Sequence, residues 1–386
     1  MDMKILNGTG LFRRVLLFCL CAALLCPAAF AETAGTLTDL ANTEHHEGFQ
    51  DYCALPDGRL VFSGFTELGT DAEVSSRGRL LCLNPDRTVC WEYVDDELYA
   101  YGSAAVAGDD LLAVFCFDGV KFFTFDGQPT GERIPLIYTS AEVYAMGVSG
   151  VVRAKYGEEG QEVRMSYTDW EGNVRFRIDE PGFQWLGQKP VTEGDGITLV
   201  GMDENRSAVA VCLDGEGYKV WKTVMPVLSD LREYALLDNL MKTADGGYLA
   251  TLLENTEDGV QACAVVRLDP EGRLLWLEQL GGRYWVAGEN NGKIAAASTG
   301  DAGALDFVWF DADGNRLGDT HLEIAEADLP RYVDSGNMFI SVEKVIPAAD
   351  GLWALLNFWE NDDPDAEEPE PAWTQQDCAL ARIPEP

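Results

Sequence analysis

Histidine is nearly missing from this chain: His45, His46 and His321 are the only three in 386 residues. Two adjacent imidazoles can touch a transition metal but do not close a four-ligand site, so His45-His46 reads as a solvated connection. No H-E-x-x-H, G-x-S-x-G or G-x-x-x-x-G-K-[ST] occurs. That leaves no motif for a zincin, a nucleophile elbow or a phosphate loop. No cysteines are adjacent or in C-x-x-C spacing, and no segment sustains a helical period. Basic residues are scarce too, with 28 Lys and Arg against 65 Asp and Glu, a net charge of −37. A field of that sign repels phosphate backbones and anionic headgroups, so nucleic acid and acidic membranes are poor partners. The acidity reads first as solubility outside the cell, and secondly as weak binding of divalent cations or of a basic partner.

Long apolar runs are confined to the beginning. Lys4, Arg13 and Arg14 precede the run Val15 to Leu25, followed by Pro27 and the small-x-small site Ala29-Phe30-Ala31. This is the pattern of a cleaved secretory signal over residues 1–31. The run falls short of the roughly 20 apolar residues that span a bilayer. Cys26 invites a lipoprotein reading, but Leu25 stands where a lipidation site wants a small residue. The expectation is export, with residues 32–386 as the mature domain. The whole chain's 47% apolar composition is ample for a core. Seven cysteines follow the leader, an odd number. Cys82 and Cys90 flank one expected turn and could pair. Recurrence at equivalent strand positions favours cysteine as a small buried apolar residue.

What the chain has in abundance is repetition. Six turns recur, anchored at Arg87, Gly127, Gly172, Gly217, Gly272 and Gly314. An aromatic follows four residues later in the stronger copies: Trp91, Phe176, Trp221 and Trp276. Upstream of each anchor lies a second signal, an Asp-Gly or Asn-Gly type start before a short apolar run. These starts fall at Asp57, Asp109, Ser149, Asp195, Asp245, Asn291 and Asp350. Such pairs suit turns because Gly accepts positive φ, and the runs that follow have strand composition. Each unit therefore predicts a four-stranded meander: one strand before the Asp-Gly turn, one after it, a third, and an outer strand carrying the aromatic. Units of this length are the propeller pattern. The repeat tryptophans read as packing between blades, because a fixed offset puts them in equivalent gaps.

Seven starts meet only six anchors. The last unit reaches "CALARIPEP" inside its turn, so something else must supply its outer strand. The segment Thr33 to Thr43, "TAGTLTDLANT", is short, β-prone and otherwise unemployed. It is expected to complete the seventh blade. The prediction is an all-β, seven-bladed propeller of four-stranded blades, with six or eight blades as the neighbouring possibilities.

"TADGGYLATLLE" followed by "VVRLDPEGRLLWLEQLGG" resembles the secreted quinoprotein-like (PQQ-like) propeller repeats, in which a D-G-G-Y strand precedes a K/R-L-D-x-x-G-x-x-x-W strand. The match is good over 243–282, fair over 50–94 and 195–224, and poor over 300–386. The resemblance implies a propeller and no single activity. Quinone enzymes of this architecture carry a vicinal cysteine pair and a calcium site. This chain has no adjacent cysteines, and no acid–amide calcium cluster can be picked out, so no cofactor is expected.

Other motifs resolve into turns. "DADGN", Asp311 to Asn315, places Gly314 too early for a calcium loop and falls on the turn ladder. "ENDDPDAEEPEP", 360–371, reads as a protruding acidic hairpin loop. A glycosidase needs only two carboxylates, and among 65 acids no pair stands out. The best ligand-facing candidates are aromatics just before the Asp-Gly turns: Tyr99, Tyr101, Tyr144, Trp185, Tyr234, Tyr284 and Trp285. Their spacing from the turns varies, so some are free to face a ligand, a glycan or a protein. The leading expectation is a secreted, non-enzymatic binding or scaffold propeller. The alternative is an extracellular carbohydrate-active hydrolase or lyase using acids in the central channel.

Overall fold

The C–D turn shows why the repeat works. In the fifth unit the Asp269 carboxylate accepts the backbone N–H of Arg273 at 2.8 Å, and Gly272 N–H donates to the Asp269 carbonyl at 2.9 Å. Asp169, Asp214 and Asp311 repeat the first bond at 2.8 Å each. The anchor closing each turn has positive φ: Arg87 71°, Gly127 77°, Gly172 84°, Gly217 85°, Gly272 77° and Gly314 86°. Only glycine takes that conformation at little cost, so the spaced glycines of the sequence are its visible trace. "DADGN" is such a hairpin turn. Asn315 and backbone N–H groups hold the Asp311 carboxyl below its usual range.

The computed structural model describes residues 37–40, 46–68, 75–98, 100–116, 119–135, 142–147, 149–155, 164–179, 182–187, 190–193, 196–256, 259–281, 285–298, 300–301, 304–324, 338–361 and 373–386, a few of them by backbone alone. The leader and residues 362–372 of the acidic loop lie outside these. Among the described residues there is no helix. A short strand β1 (Leu37–Asp39) comes first. Blade 1 is β2 (Glu47–Ala54), β3 (Leu60–Leu68), β4 (Ser75–Leu83) and β5 (Val89–Leu98). Blade 2 is β6 (Tyr101–Val106), β7 (Leu111–Cys116), β8 (Gly119–Thr124) and β9 (Pro129–Pro135). Blade 3 is β10 (Glu142–Gly147), β11 (Gly150–Lys155), β12 (Arg164–Asp169) and β13 (Val174–Asp179). In blade 4, β14 (Trp185–Leu186) and β15 (Val191–Glu193) share the inner position beside β16 (Gly196–Met202), β17 (Ala208–Leu213) and β18 (Lys219–Val224). Blade 5 is β19 (Tyr234–Lys242), β20 (Tyr248–Thr256), β21 (Gly259–Leu268) and β22 (Leu274–Gly281). Blade 6 is β23 (Trp285–Asn290), β24 (Lys293–Ser298), then, after β25 (Gly300–Asp301), β26 (Ala304–Asp311) and β27 (Arg316–Glu323). Blade 7 is β28 (Met338–Ala348), β29 (Gly351–Asn361) and β30 (Trp373–Arg382), with β25 on its inner edge and β1 on its outer edge.

The expected closure is present. Leu37, Thr38 and Asp39 pair antiparallel with Ala381, Leu380 and Ala379, and Leu40 N–H donates to the Cys378 carbonyl. The seven antiparallel blades form a ring. Seven apolar clusters lie between successive blades, one per interface. That between blades 7 and 1 joins Phe49, Phe62 and Leu81 to Ile346, Trp353 and Leu380. A single blade cannot shield both faces from water, and the ring satisfies all of them.

The repeat aromatics lock neighbours together. Each stands on the anchor glycine of the next blade: Trp91 on Gly127, Phe176 on Gly217, Trp221 on Gly272 and Trp276 on Gly314. The indoles of Trp91 and Trp276 donate to the carbonyls of Phe125 and Ala312 at 2.9 Å. These tryptophans are half-buried and pack between blades, as their fixed offset implied. The joints between blades 2 and 3, 6 and 7, and 7 and 1 lack this contact, and the last two use other means. In blade 6 the aromatic position is Gly318, and Pro386 fills the space above it. At the closing joint Arg87 replaces the anchor glycine, stacks 4.7 Å over Trp353 and pairs with Asp350 at 3.2 Å.

All seven cysteines after the leader are free thiols, five of them buried. Burial pushes Cys82 and Cys263 up to about 12 and Cys116 to about 11, so these are inert apolar fillers.

Candidate functional site

A cavity of about 220 Å³ lies on the ring axis. Its walls come from the inner strands of five blades: Asp51 and Tyr52 of blade 1, Val191 of blade 4, Asn239 to Lys242 of blade 5, Val286 and Ala287 of blade 6, and Lys344 and Val345 of blade 7. Blades 1 and 4 are three apart around the ring, so a space that touches both is axial. Gly288 lets β23 and β28 approach closely beside it, since a Cβ there would sit 2.5 Å from Val345 Cγ1.

Three of the polar lining residues share one offset in sequence. Asp51, Asn239 and Lys344 each stand seven residues before the glycine of their A–B turn, Gly58, Gly246 and Gly351. In each strand the pairing ladder is interrupted there. The register shifts between Phe49 and Asp51, between Asp238 and Met241, and between Val342 and Lys344. Bulges of this kind re-aim side chains that a regular strand would direct elsewhere. Asn239 itself takes φ 52°, and its amide donates to Thr251 Oγ1 at 3.2 Å.

Lys242 adds a second ammonium group to the wall. Asp51, which is buried, is the single carboxylate lining the cavity among the described residues. Burial, then the charge of Asp51, raises the Tyr52 phenol, which therefore stays protonated. The floor is apolar, from Val191, Leu240, Val286 and Ala287. The arrangement can seat a small molecule, or one protruding group of a larger one, by burial and a few polar contacts.

The aromatic candidates scatter. Tyr101 is 1% exposed, packs into the cluster between blades 1 and 2, and donates its hydroxyl to Asp95. Trp285 is 6% exposed and belongs to the cluster between blades 5 and 6. Neither side chain has much of its surface available to a ligand. Trp185 and Tyr234, each 37% exposed, begin the inner strands of adjacent blades 4 and 5, and so lie at the same end of the ring. Tyr99 and Tyr284 lie outside the described residues, and of Tyr144 only the backbone is described, paired with Arg153.

The described histidines lie away from the cavity. His321 sits on the outer strand β27, 2.9 Å from Asp306, and His46 pairs with Glu67 at 3.2 Å. Among the described residues no group of three or more His, Cys, Asp or Glu could hold a metal ion. The lining residues were missed by sequence reasoning that looked for aromatics. The signal for them was polar residues at one shared offset from the A–B glycine.

No family model matches the chain, and no curated protein matches it. Solved structures do. A streptogramin B lyase aligns with a TM-score of 0.54 at 10% identity, covering 92% of this chain and 99% of its own. Virginiamycin B lyase from Staphylococcus aureus aligns at 0.51 and 10% identity, covering 90% of this chain and 98% of its own. The extracellular domain of a one-component system from B. thetaiotaomicron aligns at 0.51 and 9% identity, covering 91% of this chain and 40% of its own. At such identities the likeness bears on the fold alone: this chain has the fold of a seven-bladed β-propeller.

Proposed function

We propose that this protein is an exported, non-enzymatic binding propeller that seats its ligand, a glycan or a protein group, at the axial cavity. One observation carries the reading. Three blades place polar side chains, at one shared sequence offset and on bulged strands, into a single space on the axis. Polar groups held in a half-dry cavity are the usual means of orienting a ligand. The rival reading is a carbohydrate-active hydrolase or lyase working with channel acids; a hydrolase of this kind needs two carboxylates about 5–9.5 Å apart, and the described lining residues offer Asp51. Export rests on the leader over residues 1–31, and the quinoprotein-like character of the repeats on residues 243–282.

The test is a glycan and peptide array probed with the purified protein, repeated with Asn239→Ala and Lys344→Ala. Binding that both substitutions weaken is the expected result. A blank array, or turnover of an arrayed glycan, removes the reading.

A further inference from the structure

Acids outnumber bases 65 to 28 in this chain, yet among the described residues that line the axial cavity the ratio is reversed: Lys242 and Lys344 stand against one carboxylate, Asp51. Resting on the binding reading above, we infer that the cavity takes the carboxylate group of a small organic acid, with the Lys344 ammonium as its anchor.

The argument is one of local against global charge. A chain at −37 holds mobile anions away from its surface, and an exposed lysine there is quickly matched by a nearby acid. Lys344 is half-buried at a bulge of β28, and no carboxylate lies within ion-pair distance of it among the described residues. An ammonium beside an apolar wall and without an anion of its own gains a charge-assisted hydrogen bond from a bound carboxylate. Tyr52 and Asn239, both already engaged within the protein, line the same space. Size limits the guest. At about 220 Å³ the space lies below the roughly 300–1,000 Å³ of sites for drug-sized ligands. It suits a sugar acid or an amino acid, both of which offer the required group over an apolar body.

The experiment titrates the protein by calorimetry with D-galacturonate and L-glutamate, each beside its neutral counterpart, D-galactose and L-glutamine. The expected result is binding of at least one acid, at least about tenfold weaker binding of its neutral partner, and a similar loss in Lys344→Ala. Which acid binds separates a sugar acid from an amino acid. Lys344→Gln serves if the alanine variant fails to fold, and weaker binding of the acid by wild type as sodium chloride rises gives the same reading without any variant. Equal binding of acid and neutral forms, binding unchanged in Lys344→Ala, or no binding of either acid up to about 10 mM overturns the inference. Array ligands that bind wild type and Lys344→Ala alike would overturn the carboxylate anchor and leave a binding propeller standing. A blank array would remove the binding reading itself.

Discussion

Replacing Asp377 with asparagine should stabilise the ring closure, and only above mildly acidic pH. Asp377 lies on β30 where blade 7 receives β1, and it is 0% exposed. One carboxylate oxygen accepts the N–H of Cys378 at 2.7 Å, and the other has no hydrogen-bond partner. The cation that lowers it, Arg79, is already engaged. Arg79 bonds Glu47 at 2.5 Å, Glu92 at 2.8 Å and the carbonyl of Leu40 at 2.9 Å, which ties the N-terminal segment to blade 1. Burial first, then the charges of Asp39 and Glu47, lifts the Asp377 carboxyl from 3.8 to about 7, against the pull of the Cys378 N–H and Arg79. The folded state therefore keeps a proton that the unfolded chain releases, and stability falls as pH rises from about 4 to about 7. The displacement corresponds to a ceiling of about 4 kcal/mol. Above pH 7 both states are ionised and this contribution stays flat. Asparagine keeps the acceptor for Cys378 and carries no charge. Denaturant unfolding of wild type and Asp377→Asn should coincide near pH 4 and separate progressively to pH 8, the variant being more stable by up to that amount. The slopes of other groups cancel in the difference. A pH-independent difference, or a variant less stable at pH 8, would refute the reasoning.

Deleting residues 33–43 should lower the melting temperature sharply by removing β1 and the Arg79–Leu40 tie, and an unchanged melting curve would contradict the closure. Trp276→Ala should cost about 2 kcal/mol in denaturant unfolding, below the roughly 3–5 kcal/mol of a fully buried tryptophan, because the ring is half-exposed. Gly272→Ala should destabilise through both positive φ and collision with Trp221, and pairing it with Trp221→Leu should recover part of the loss. A strictly additive double variant would show that the two do not touch. Arg87→Ala should cost about 1–2 kcal/mol by losing Trp353 and Asp350, whereas Arg87→Gly should cost less because the left-handed backbone is relieved. On thermal melting, equal losses would argue against the backbone relief, and no loss in either variant against the stacking role.

Much of the architecture was legible because it is written in local chemistry. An Asp accepting its own turn's N–H and a Gly three residues later at positive φ depend on neighbours in the chain, so "DPEG" could be read and its copies counted. The closure was legible by subtraction, since one unit lacked an outer strand. The latch at the closing joint was not. Arg87 looks like a degraded repeat until Trp353, far along the chain, is brought beneath it.

The ligand-facing aromatics show the same boundary from the other side. Nearness in sequence to the A–B turn does not settle which side of a strand a ring occupies. The ladder of β6 shifts between Tyr101 and Ala104, and Tyr101 is buried between blades. By contrast Asp51, Asn239 and Lys344 are unremarkable residues in three distant segments. Sequence alone determined that identical offsets exist, and hence that equivalent places in the ring would be filled. That those places are one cavity, with more lysine than acid among its described lining residues, was decided only when bulged inner strands converged on a common axis, because side-chain direction in a bulge and distance across a ring are properties of the closed assembly and not of any one repeat.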